Sequence, residues 1–161
     1  MSLTEVSSIL WRERELLELL VFKLEEEQLL LAAGRARWLT FATREVEMVL
    51  AEIKRSELGR AVEVDAVAEC LGLQPGISLR ELAESVPPPW DGILREHRKA
   101  FLALSDEISA LARTNKELLG NGFRAARDTL LSLGEQDAPT YTPSGQSVPK
   151  NRGPLLLNQA I

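Results

Sequence analysis

The sequence predicts an all-α protein, an elongated antiparallel helical hairpin or coiled-coil bundle of three long helices plus one short helix, followed by a disordered C-terminal tail. Three observations predict it. The eight prolines fall only at Pro75, at Pro87, Pro88 and Pro89, and at Pro139, Pro143, Pro149 and Pro154. That leaves 1–74 and 90–138 free of a residue that costs about 3 kcal/mol inside a helix. Apolar residues recur at three- and four-residue spacing through both stretches, which places them on one helical stripe. No alternating strand pattern is present, and no Asn-Gly hairpin flanked by β-branched residues.

The first helix is predicted from about Leu3 to Ala33. Leu3, Val6, Leu10, Leu17, Leu20, Leu24 and Leu31 form its stripe, which also passes through Glu13 and Glu27. Leu16, Leu19, Leu29 and Leu30 widen the apolar face beyond a two-stranded seam, favouring a bundle of three or four helices. Ser2 or Thr4 supplies the N-cap and Gly34 the stop.

A second helix is predicted to begin between Trp38 and Thr43 and to continue to about Leu71. Leu39, Ala42, Val46, Val49 and Ile53 hold one register, and Ala61, Val64, Ala68 and Leu71 carry it on. Ser56 and Arg60 sit on the seam between them and Gly59 lies inside the helix, so packing is expected to loosen there. Gly72 ends the helix, and Leu73 to Ile77 make a turn. Ser78 and Glu81 in SLRELAE have capping-box spacing and announce a short helix from about Leu79 to Ser85, stopped by the three prolines.

The third long helix starts near Trp90 or Asp91. Leu94, His97, Phe101, Leu104, Ile108, Leu111, Asn115 and Leu118 fit a heptad seam; after Asn115 a four-residue shift carries it to Leu119, Phe123, Ala126, Leu130 and Leu133. Gly120-Asn121-Gly122 interrupts this helix. Each glycine costs about 1 kcal/mol relative to alanine, so a bend or break is expected between Leu119 and Phe123. Beyond Gly134, Pro, Gly, Ser, Thr and Asn dominate. The expected organisation is a helical domain over 1–134 and a disordered tail over 135–161 containing the apolar cluster Leu155, Leu156 and Leu157. Helices of about 30 residues are roughly 45 Å long, and short connections fold them back on one another.

The 161 residues carry a formal net charge of −5. No basic field is available for nucleic acid, no apolar run reaches the roughly 18 residues that span a bilayer, and MSLTEVSS lacks the positive start of a signal peptide. The chain reads as cytosolic. One cysteine, Cys70, excludes an internal disulfide framework and is expected as a small buried residue at a helix end; one histidine, His97, argues against a histidine-built metal site. No cofactor is expected. Carboxylates such as Glu25, Glu26 and Glu27 read as a solvated surface, and no nucleotide-binding glycine motif occurs, so an enzyme is not expected. Trp11, Trp38 and Trp90 are expected to anchor the bundle ends. Asn115 on the seam is expected to fix register through a hydrogen bond to a neighbouring helix. The functional signal is distributed. An apolar last helix that its own fold cannot fully cover offers Leu111, Asn115, Leu118, Leu119, Phe123, Ala126, Leu130 and Leu133 to a partner's amphipathic helix, with self-association into a homodimer as the competing use.

Residues 1–134 resemble the FlgN family of flagellar type III export chaperones. Four stretches carry the likeness: ILWRERELLELLVFKLEEEQLLLAAG; the Ala33-Gly34 turn followed by Trp38-Leu39 and TREVEMVLAEI; SLRELAES before the prolines and Trp90; and LARTNKELL, in which Asn115 matches a frequent asparagine of the family's last helix. The resemblance implies a cytosolic helical-hairpin chaperone that binds the terminal helical segments of hook-associated (hook–filament junction) proteins. Its partners would be FlgK and FlgL, kept from premature assembly, and FlhA, the export-gate component to which they are delivered. It places client and gate contacts in the last helix and tail, and points to Tyr141, the only tyrosine, for gate docking. The Gly120-Asn121-Gly122 run departs from the family's continuous helix. The rival reading from the residues alone is an oligomeric coiled-coil adapter or scaffold without a secretion client.

Overall fold

The computed structural model describes residues 2–134. Within them lie four helices and no strand: α1 (Leu3–Ala32), α2 (Ala36–Cys70), α3 (Leu79–Ser85) and α4 (Trp90–Gly134). The expectations for the tail, including Tyr141 and Leu155 to Leu157, fall outside the described residues.

Local chemistry sets the boundaries. Ser2 caps α1 in a capping box: its hydroxyl accepts from Glu5 N–H, and its own N–H donates to Glu5 Oε2 at 2.7 Å. α1 and α2 end alike. Gly34 (φ +65°) and Gly72 (φ +71°) occupy the left-handed region open to glycine. The following N–H groups reach back over the last turn, Arg35 to the Leu30 carbonyl and Leu73 to the Ala68 carbonyl, both at 2.9 Å. These are Schellman closures. α2 therefore starts at Ala36, ahead of the expected Trp38–Thr43, because the tight closure at Gly34 lets the helix resume almost at once. The loop after α2 is tied down where Gly76 N–H donates to Asp65 Oδ1 at 2.6 Å. Ser78 and Glu81 form the expected capping box of α3; two hydrogen bonds from Ser78 hold the Glu81 carboxyl below its usual range.

α1 is the central rod, with α2 and α4 packed along it and α3 folded onto α4. α2 runs antiparallel to α1: Lys23 pairs with Glu45 at 2.7 Å near one end, and Glu13 with Arg60 at 3.3 Å towards the other. The return through α3 sets α4 parallel to α1, since Ser7 meets His97 and Leu24 meets Asn115. Val6, Leu10, Leu17, Leu20 and Leu24 of α1, Val46, Val49, Ile53, Val64 and Val67 of α2, and Leu94, Phe101 and Ile108 of α4 form one core, closed at the α3 end by Leu79, Leu82 and Ala83. Burying each such side chain stabilises by about 1.5–3 kcal/mol.

Three expectations need correction. α4 does not break at Gly120-Asn121-Gly122 but runs unbroken to Gly134; no packing contact demands a turn there, and the flanking helix formers hold the ladder. Cys70 is exposed rather than buried, because the last turn of α2 presents Ala68 and Val67 to the core instead. Glu27, expected on a solvated surface, is buried, and it proves to be a structural linchpin described below.

Candidate functional site

α4 has two unlike halves, and the cause is the length of α1. Hydrogen-bonded pairs between them are separated by 88 to 91 residues. At that offset Ala32, the last residue of α1, lies level with about Gly122. From Asn121 onward every α4 residue whose burial is described is exposed, and the final dozen residues overhang the α1–α2 turn by about 18 Å.

The overhang is not polar on the side that matters. Eighteen residues make about five helical turns, so Leu119, Ala126 and Leu133 point in nearly the same direction as Phe101, Ile108 and Asn115, all three of which are buried. Phe123 and Leu130 flank them. The strip is thus the buried seam continued past the end of its partner. Leu119 is 38% exposed, Phe123 69%, Leu130 70% and Leu133 61%; Ala126 is exposed too. Arg124 and Asp128 lie on the far side, and Arg127 borders the strip beside Phe123.

The structure divides the eight residues singled out from sequence. Leu119, Phe123, Ala126, Leu130 and Leu133 form the open strip. Leu111 and Leu118 are half-buried at its root, and Asn115 lies inside the bundle, 4% exposed. Asn115 Nδ2 donates to the Leu24 carbonyl at 2.9 Å and to Glu27 Oε1 at 3.2 Å, and Thr43 Oγ1 donates to Glu27 Oε2 at 3.0 Å. This layer joins α1, α2 and α4 by hydrogen bonds to one carboxylate just below the overhang. Asn115 and its register role are legible in the sequence; the parts played by Glu27 and Thr43 are not. The available signal was that Glu27 falls on the α1 stripe.

Two further polar groups are embedded lower in the bundle. Glu13, 1% exposed, pairs with Arg60, whose guanidinium also lies 5.8 Å from the Phe101 ring centroid. Burial raises the Glu13 carboxyl to about 7; Arg60 opposes the shift and Glu57 adds to it. His97 is buried beneath Trp11, ring centroids 5.0 Å apart and edge-on, with Nε2 3.4 Å from Ser7 Oγ. Burial, assisted by Arg14, lowers its pKa. The tryptophans do not all anchor bundle ends. Trp90 packs partly against the core, but Trp11 sits along α1 and is 53% exposed, and Trp38 beside the α1–α2 turn is 46% exposed.

Among the described residues no group of three or more His, Cys, Asp or Glu could hold a metal ion, and no helix is long and apolar enough to cross a membrane. What the arrangement offers chemically is an apolar helical strip ready to pair with another helix. The sequence model of one family, described as FlgN protein, matches residues 1–149. No curated protein and no solved structure matches the chain.

Proposed function

The chain belongs to the FlgN family of flagellar export chaperones, and on that premise we propose that its α4 overhang binds the terminal helical segments of the hook-associated proteins FlgK and FlgL. In this reading the chaperone works in the cytoplasm, prevents premature assembly of these clients and delivers them to the export-gate component FlhA. Tyr141 is proposed for gate docking on the strength of the family resemblance alone. The observation that carries the client site is the continuity of the exposed strip, Leu119 to Leu133, with the seam that packs α4 onto α1. A client helix laid along it would extend the bundle past the end of α1, replacing the missing length of that rod.

The energetics suit a carrier. Covering about 1,000 Å² of apolar surface is worth on the order of 25 kcal/mol gross, most of it offset by ordering and association costs. The remainder can protect a client and still release it. Because Phe123 is 69% exposed and Leu119 lies at the edge of the packed seam, replacing both with Asp should abolish co-purification of FlgK and FlgL fragments while leaving the helical circular dichroism of the free chain unchanged. Unaltered client capture by this variant would contradict the proposed surface. Light scattering of the unmodified chain separates the adapter alternative, which requires a stable oligomer held together by the same strip.

A further inference from the structure

A second surface lies at the other end of the molecule. α3 and the early turns of α4 face each other across an open groove of about 330 Å³. Its walls are cationic. Arg80 stands on α3, and Arg95, Arg98 and Lys99 rise together from one face of α4. Against these four cations the groove holds one carboxylate, Glu84. In a chain of net charge −5, this concentration runs against the composition.

Two of the cations are committed. Arg80 pairs with Glu84 at 3.1 Å and Arg95 with Asp91 at 3.2 Å. Arg98 and Lys99 have no carboxylate within ion-pair distance among the described residues, and Arg98 Nε is closed to solvent without an acceptor. Between the cations the floor is apolar, formed by Ala83 and by Leu102, which is 38% exposed.

We propose that the α3–α4 groove is a docking site for an acidic amphipathic helical segment of a partner protein, its carboxylates on Arg98 and Lys99 and an apolar side chain over Ala83 and Leu102. Charge complementarity selects this occupant. A small anion would satisfy the cations and leave the apolar floor uncovered. A nucleic acid would meet the repulsion of a net-acidic molecule. The chain's own residues 135–161 carry two acidic and two basic side chains (Glu135, Asp137, Lys150 and Arg152), so they bring no net charge to the site. The groove is independent of the client strip: Leu102 and Leu119 are separated by about 25 Å along α4, leaving room for both surfaces to be occupied together.

The test is a titration of the isotope-labelled full chain with a synthetic helix-forming peptide of about fifteen residues bearing a Glu face and a Leu stripe, followed by amide NMR shifts. The expected result is shifts over 79–85 and 94–102, with affinity falling as salt is raised. Affinity should fall about tenfold or more in Arg98→Glu/Lys99→Glu and stay unchanged in Leu119→Asp/Phe123→Asp. Lys99 is exposed, so Lys99→Glu alone folds normally and should still weaken binding several-fold. The proposal is overturned by shifts confined to 119–133, by equal binding of a peptide with Gln in place of Glu, or by no binding. Inorganic phosphate producing the groove shifts while the peptide produces none would also overturn it, assigning a small-anion site instead.

Discussion

Leu94 to Leu118 and Leu119 to Gly134 belong to one unbroken helix and share one apolar stripe, yet the first half is core and the second is surface. Nothing in the side chains accounts for this. Phe101 is 1% exposed and Phe123 69%, although both are phenylalanines on the side of α4 that faces the α1 axis. The difference is that α1 stops at Ala32. An amphipathic stripe records which way a helix would pack; the length of its neighbour decides how much of it does.

Paired truncations give the sharpest way to break this comparison. Phe101→Ala should cost about 3–5 kcal/mol of folding stability, as expected for a large buried aromatic. Phe123→Ala should stay within about 0.5 kcal/mol, as for an exposed site. Urea denaturation of both variants reads the two values, and a cost at Phe123 approaching that at Phe101 would mean that the overhang is packed after all.

A smaller effect comes from charge placement. The packed region buries Glu13, whereas the overhang buries no titratable group among the residues described. With its carboxyl raised from 4.5 to about 7, folded Glu13 holds its proton more tightly than the unfolded chain does. Its contribution to stability is therefore greatest below about pH 4.5 and is lost as the pH rises to about 7, a change of about 3 kcal/mol. His97 acts in the opposite sense. Its lowered pKa means that stability present above about 6.5 is lost as the pH falls. Denaturation midpoints measured across this range should show the Glu13 slope in the unmodified chain and lose it in Glu13→Gln, leaving the contribution of Glu57, whose carboxyl burial also raises, and the opposing His97 trend.

Most of the architecture was legible because it is written in local chemistry. Proline positions bounded the helices, the Ser78–Glu81 spacing announced α3, and Gly34 and Gly72 marked two stops that the structure realises with the same closure. The open strip was legible in part. Periodicity revealed its residues, but the line between Leu119 and Phe123, where seam becomes surface, depends on the register between α1 and α4, and that register is a tertiary fact. The apparent flaws misled for a related reason. Gly120 and Gly122 weaken a helix without forbidding it, and Glu27 on an apolar stripe looks like an error until Thr43 and Asn115 arrive from two other helices to satisfy it. The α3–α4 groove was prefigured by Arg95, Arg98 and Lys99 on one helical face. Its other wall comes from Arg80, which only the fold brings opposite.

The central claim is that α4 is half core and half uncovered helix in the free chain. Amide hydrogen exchange of the unbound monomer tests it most directly. Backbone amides of 94–118 should exchange only through large-scale unfolding, and those of 119–134 orders of magnitude faster through local fraying. Equal protection along the whole of α4 in the monomer would contradict the account.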